Sequence, residues 1–165
     1  MIDQPPGPLG SGTPADPRLV VESWLAIPAT DGWRLLVLRR TPQSGGFWQG
    51  VSGRVEAFDR SLRDAALREI REETGLADGI EIIDLELWTT FRGPMSGATF
   101  RKRSLAAILP PTVTATSVKL SDEHDAAEIL SIVDARLRLR FRPNQDELDA
   151  LEHLLATRGP ATRGP

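Results

Sequence analysis

The chain of 165 residues contains no cysteine. Disulfides, thiolate metal sites and thiol nucleophiles are thereby excluded. Histidine is nearly absent as well: His124 and His153 are the only two, too few for a multi-histidine zinc site. There is no surplus of positive charge, the formal net charge being −3. A general nucleic-acid binder shows a basic stripe and a high pI, so no stable nucleic-acid partner is expected. A substrate carrying phosphates would need local basic residues or metal ions to offset the repulsion. No apolar run approaches the ~20 residues that span a membrane. The opening stretch MIDQPPGPLGSGTPADP lacks the charged and apolar regions of a signal peptide. A cytoplasmic protein with no membrane partner is expected, and monomer and homodimer both remain open.

What is present is an ordinary globular composition, 40% hydrophobic and 26% charged. The length suits one domain with a core large enough to fold unaided. Pro, Gly and Ser crowd the start, so residues 1–17 read as a disordered arm. The domain is placed at 18–156. The chain ends ATRGPATRGP, one pentapeptide written twice, and 157–165 reads as a flexible tail.

Between these ends, LVVESWLAIPA and WRLLVLRR read as strands, and the TDG between them as a hairpin turn. FWQGVSGRVE is aromatic and β-branched, with two glycines that suggest a bend or close backbone approach. A helix follows, with Ser61 and Asp64 in a capping pattern and Gly75 placed to end it. IEIIDLELWTTFR and FRKRSLAAILP read as two further strands joined by GPMSG. After a loop, TVTATSVKLSDEHDA, a short strand is expected at EILSI. VDARLRLRF reads as a short helix or irregular segment. PNQDELDALEHLLA opens a last helix at Pro143, with Leu148, Leu151 and Leu155 at helical spacing. The order fits an α/β fold, a mixed sheet with a helix on each face.

The first helix, LRDAALREIREETGL, carries three glutamates in its last two turns. Carboxylates there oppose the helix dipole and repel one another at spacings of three and four. At about 100° per residue, Leu62, Ala66, Glu69 and Glu73 fall on one row, with Glu72 beside it. The row begins apolar and ends acidic, so the acids continue the face that packs on the body. Such local conflicts tend to mark functional sites, and divalent cations would resolve this one. Mg²⁺ takes oxygen ligands and keeps waters and phosphate oxygens.

GRVEAFDRSLRDAALREIREETGL, Gly53 to Leu76, resembles the Nudix box: Gly, five residues, Glu, seven residues, then Arg-Glu-apolar-x-Glu-Glu-x-Gly-apolar. The second half matches fully through Arg68, Glu69, Ile70, Arg71, Glu72, Glu73, Thr74, Gly75 and Leu76. The resemblance implies a Nudix-type α/β/α sandwich with a mixed β-sheet between helices. It also implies hydrolysis of a nucleoside diphosphate linked to some moiety X. By the same resemblance Glu69, Glu72 and Glu73 ligate Mg²⁺ or Mn²⁺ together with the Gly53 carbonyl, and Arg68 holds the loop carboxylate to the box. The first half departs: counted from Gly53 the expected Glu is Asp59, and counted back from Arg68 it is Arg60. One residue is inserted. If Ser61 caps the helix, the loop absorbs the insertion, and Asp59 is expected to reach Arg68.

The flanks, LLVLRR and FWQGVSGRVE upstream and LSDEHDA and RFRPNQDEL downstream, look like the branch with dATP and dihydroneopterin triphosphate pyrophosphohydrolases. This implies Glu123 as a further metal ligand or as the base that activates water, with His124 orienting or relaying a proton. Arg39 and Arg40 end a strand near the expected site, and adjacent residues point to opposite faces, so one of them is the phosphate candidate. Arg101, Lys102 and Arg103 are another basic source. Trp48, Phe47 and Phe91 are candidates to stack on a base or to fill the core. A nucleoside triphosphate-like substrate giving monophosphate and pyrophosphate is the expectation. ADP-ribose, a dinucleoside polyphosphate or a nucleotide sugar is the enzymatic alternative, and a non-catalytic nucleotide-sensing module is the other.

Overall fold

The computed structural model describes residues 18–93 and 96–159. The expected arm at 1–17 lies outside the described residues, as do part of the GPMSG turn and the end of the tail.

Apolar residues on both faces of LVVESWLAIPA suit β1 (Leu19–Ala29) to the centre of the sheet. Leu19, Val21, Leu25 and Ile27 face one layer, and Trp24 and Ala26 the other. β2 (Gly32–Arg40) returns antiparallel, pairing Leu36 with Leu25. On the same edge of β1, nearer its start, β4 (Val51–Arg54) pairs Val51 with Ser23 and Arg54 with Val20. The FWQGVSGRVE stretch is therefore two short strands. β3 (Trp48–Gln49) belongs to β2 and β4 to β1, with the break at Gly50. The chain crosses where β1 and β2 splay apart.

β6 (Thr99–Ile108) runs parallel to β1 on its other edge, and β5 (Glu81–Arg92) lies antiparallel beyond it. β7 (His124–Ser131) closes the far side against β2. It begins at His124, earlier than the EILSI expected from local propensity. The β2 ladder runs on through Arg39 and Arg40 and recruits HDAA as its partner. Strand pairing here outweighs weak intrinsic preference.

α1 (Leu62–Thr74) covers one face of the sheet. Ile70 packs on Leu25, Ile27, Leu36 and Leu38, and Ala65 and Ala66 pack on Leu19, Val21 and Leu105. α2 (Ile132–Arg138) and α3 (Arg142–Arg158) cover the other, where Leu148, Leu151 and Leu155 lie buried on Trp24, Leu35 and Val37. The mixed sheet between helices is the expected α/β/α sandwich. α3 runs past the expected domain end at 156, because Arg158 forms a two-bonded ion pair with Glu81 at 2.6 and 2.8 Å. Among the described residues no helix is long and apolar enough to cross a membrane.

The ends of α1 decide the register of its carboxylates. Ser61 Oγ accepts the Asp64 N–H at 3.1 Å, and Gly75 ends the helix at φ 74°, a left-handed conformation costly for a residue with a Cβ. Ser61→Ala should lower unfolding stability by about 1 kcal/mol, read by urea denaturation. An unchanged midpoint would show that the cap does not set the helix start.

Candidate metal and phosphate site

The C-terminal half of α1 faces β4. A methyl group on Gly53 would overlap the Glu69 carboxylate, so only glycine lets the strand come this close. Glu73, one turn further, is buried at 4% exposure. Its Oε2 has no hydrogen-bond partner. The loop after β6 folds back over the helix end: Lys119 N–H donates to the Thr74 carbonyl at 2.8 Å and Ser121 N–H to the Glu73 carbonyl at 3.3 Å. The Glu123 carbonyl then accepts from Thr41 N–H at 3.0 Å. Glu123 is thus delivered beside the helix glutamates by backbone contacts that residue types alone do not announce.

Charge at the site is unbalanced. Burial, reinforced by Glu69 and Glu123 and only partly offset by Arg40 and the Ser52 backbone, pushes the Glu73 pKa up to about 9. Burial also lifts Glu69 above the ordinary glutamate range, against the pull of Arg68. Glu72 is the most exposed of the three, held 3.3 Å from Arg68 Nη1. Among the described residues, no three carboxylate or imidazole groups converge tightly enough to hold an ion as they stand. Glu69 is drawn to Arg68 at 2.6 Å and Glu123 to Arg40 at 3.1 Å. A buried unpartnered carboxylate oxygen, a glycine cradle and two further acids nonetheless fit a hard divalent cation, whose charge would let Glu73 ionise.

The inserted loop closes on Arg68. Its Nε and Nη2 donate to Asp59 at 3.1 and 2.8 Å, Nη2 also reaches the Arg54 carbonyl at 2.8 Å, and Nη1 reaches Glu69. Asp59 Oδ2 accepts from Glu56 N–H at 2.8 Å. Burial works against the Asp59 charge, but Arg68 and that N–H outweigh it and hold its pKa below the usual range. The shorter Asp thus reaches Arg68 despite the extra residue. Arg60, the other candidate for the slot, is exposed and sits 3.6 Å from Asp64. Phe58 lies outside, under the Arg68 guanidinium at 5.4 Å.

Arg39 and Arg40 separate as strand geometry demands. Arg40 joins Glu123 and Glu73. Arg39 pairs with Asp125 at 2.7 Å and lies over Trp48 at 5.7 Å, with Arg138 5.6 Å from the same ring. Trp48 therefore sits against two guanidiniums, and Phe91 is far along β5, stacked on Phe100 at 5.4 Å. His124 is buried, and that burial, with Arg40 adding to it, lowers its pKa. Its Nε2 is 3.9 Å from Glu73 Oε2 and 3.5 Å from Gln49 Nε2. Gln49, buried beside the acids, was not singled out in the sequence; its only signal was its place in FWQG.

Residues 21–151 match the model of the NUDIX domain family. The chain belongs to the Nudix family. Among solved structures, a C. elegans Ap4A hydrolase has a TM-score of 0.70 at 19% identity, over 84% of this chain and 98% of that one. The E. coli dihydroneopterin triphosphate pyrophosphohydrolase has a TM-score of 0.67 at 20% identity, over 87% and 98%. Over 66% of its length the chain is 37% identical to an octanoyltransferase of Myxococcus xanthus, but it spans only 29% of that protein. The Nudix box is here one residue longer in its loop, with the excess carried by AFDRS before the Ser61 cap.

The Gly53 cradle gives a sharp test. Gly53→Ala should keep the fold, as judged by circular dichroism and melting. It should weaken divalent-cation dependence and turnover by roughly 10- to 100-fold, the range seen when metal-site supports are lost. Unchanged metal dependence would show that Glu69 does not need this approach.

Proposed function

We propose that this Nudix hydrolase cleaves a phosphoanhydride bond of a nucleoside triphosphate-like substrate, releasing the monophosphate and pyrophosphate. The observation that carries the reading is the buried Glu73 carboxylate, its Oε2 without a partner, near Glu69, Glu123 and the Gly53 cradle. Glu69, Glu72 and Glu73, with the Gly53 carbonyl and Glu123, would hold Mg²⁺ or Mn²⁺. A divalent cation held there supplies charge neutralisation for phosphate oxygens and lowers the pKa of water.

The chain's own groups then divide the work. Arg40, between Glu73 and Glu123, draws the phosphate chain to the acids. Glu123 or one of the box glutamates takes the proton from the attacking water. The water oxygen bonds to phosphorus in line, the anhydride P–O bond breaks, and pyrophosphate leaves with the electron pair. Arg68 stays locked on Asp59, Glu69 and the Arg54 carbonyl and keeps the acids at their stations.

The likeness to an Ap4A hydrolase favours a second reading, a dinucleoside polyphosphate substrate. Octanoyl transfer is not proposed, since the chain spans under a third of the protein that carries that name. A hydrolysis screen over nucleoside triphosphates, dihydroneopterin triphosphate, ADP-ribose and Ap4A, with and without Mg²⁺ or Mn²⁺, decides among them by product. Pyrophosphate release supports the first reading. Two monophosphates from ADP-ribose, or cleavage of Ap4A alone, would replace it. Binding without turnover under both metals would favour a sensor.

A further inference from the structure

A glutamine stands where the surroundings favour an apolar residue. β3 is two residues long, and strand alternation sends Trp48 to the α3 side and Gln49 to the α1 side. Gln49 pairs with Leu38, which together with Val51 belongs to the apolar cluster beneath α1. The residue is only 7% exposed. A buried carboxamide costs free energy unless its hydrogen bonds are made.

What Gln49 meets is His124. Its Nε2 lies 3.5 Å from His124 Nε2 and 3.4 Å from Ser52 Oγ. His124 opens β7 opposite Arg40, with its side chain wholly shielded from solvent. Among the described residues the contact with Gln49 is the one hydrogen bond of that ring. Nδ1 has no partner, and Glu73 Oε2, 3.9 Å from Nε2, stands beyond hydrogen-bond reach. Polar atoms without partners gather at this place. Glu73 Oε2, Ser121 Oγ and His124 Nδ1 are all buried and unbonded, and all belong to the end of α1 or to the turn that covers it.

One contact therefore decides which edge of the imidazole Glu73 meets. A half-turn of the ring about Cβ–Cγ exchanges Nε2 with Cε1 and puts a C–H where a polar nitrogen was. The neutral ring carries its single proton on Nδ1 or on Nε2, and the hydrogen bond it makes selects between them.

The backbone that carries Gln49 is clamped from the opposite face of the sheet. Gly50 N–H donates to Glu22 Oε1 at 3.3 Å, and a methyl group on Gly50 would stand 2.5 Å from the Ser23 carbonyl oxygen. Glu22 in turn pairs with Lys102, whose Nζ is 2.8 Å from Glu147 Oε1, and all three residues are buried. The Gln49 amide thus links a tightly held strand junction to a ring with no other hydrogen bond.

We propose that Gln49 is a positioning residue: its carboxamide holds the His124 ring with Nε2 toward Glu73 Oε2, and through His124 it sets how the Glu73 carboxylate meets a divalent cation. The proposal rests on the metal-dependent hydrolase reading above. Partners in the shell around a metal ligand typically contribute about 10- to 100-fold to metal affinity or activity.

Imidazole ¹⁵N spectra in EDTA test the first half without any turnover. The chain has only two histidines, and His153 on α3 is exposed, so a His153→Gln parent leaves His124 alone in the spectrum. In that parent His124 should populate one tautomer. With Gln49→Met, which keeps the length and loses the amide, it should populate both. A mixture in the parent, or an unchanged spectrum in folded Gln49→Met, would overturn the proposal. The parent spectrum remains decisive even if Gln49→Met does not fold. Titration with Mn²⁺ alone, followed by electron paramagnetic resonance, tests the second half. Gln49→Met should weaken Mn²⁺ binding by about tenfold and lower kcat by a similar factor, with KM nearly unchanged. On a His124→Phe background the same substitution should change neither. Equal Mn²⁺ affinity with and without the amide, or an equal loss with and without the imidazole, would show that Gln49 does not act through the ring and would overturn the proposal. Both changes in a protein that hydrolyses none of the candidate substrates would sink the hydrolase reading and leave Gln49 its role. Metal-dependent hydrolysis with neither change would sink the Gln49 proposal alone.

Discussion

Glu73→Gln is expected to lower kcat by on the order of a hundredfold or more, with the fold intact. The substitution is nearly isosteric and removes only the ability to become an anion. Glu73 is buried, and its Oε2 has no protein donor, so no structural bond is lost. In the metal-free protein its pKa is raised to about 9, so the carboxyl is mostly protonated at neutral pH. The amide therefore resembles the metal-free form and not the working one. Loss of kcat with an unchanged melting temperature in EDTA separates catalysis from stability. Near wild-type turnover at saturating Mg²⁺ and Mn²⁺ would falsify the assignment of Glu73. Glu72→Gln, at an exposed and Arg68-tethered position, should cost less, and the ranking of the two variants is itself a check.

Much of the scaffold could be read before any coordinates, for physical reasons that differ by element. β1 reads as a largely apolar run because both its faces are buried, and the Leu148, Leu151 and Leu155 spacing marks the packed face of α3. The acidic end of the α1 row stood out because it violates local electrostatics, and Glu69 and Glu73 do face the β4 cradle. Contacts made across long sequence separations were not legible. Gly50 divides one aromatic stretch between two partner strands. His124 is drawn into β7 by the β2 ladder, not by its own propensity. The Glu22–Lys102–Glu147 cluster joins residues from three elements. Each member alone looked like an ordinary charge: Lys102 read as one of three basic residues on a strand, and Glu147 as one acid in a helix. Their shared burial exists only after β1, β6 and α3 come together.

Raising the pH from roughly 7 to 9 should destabilise the metal-free protein and leave the Mg²⁺-loaded protein much less affected. The folded pKa of Glu73, about 9, lies above its ordinary value of 4.5. Below about 4.5 the carboxyl is protonated in folded and unfolded chains alike. As pH rises between the two values the unfolded chain ionises freely while the folded chain keeps its proton, so stability falls. The slope is at most about 1.4 kcal/mol per pH unit. Glu69, also raised by burial, adds in the same direction at lower pH. His124 acts oppositely: its lowered pKa makes stability fall as pH drops through its unfolded value near 6.5. The window above pH 7 therefore isolates the carboxylates. A divalent cation favours the ionised form of Glu73 and releases its proton, so the stabilisation by Mg²⁺ should grow with pH. Urea denaturation in EDTA and in excess MgCl₂ across this window measures both curves. Glu73→Gln should flatten the EDTA curve to nearly the Mg²⁺ slope. A flat wild-type curve in EDTA would mean that Glu73 is already ionised without metal, and that its burial is relieved by some group other than a cation.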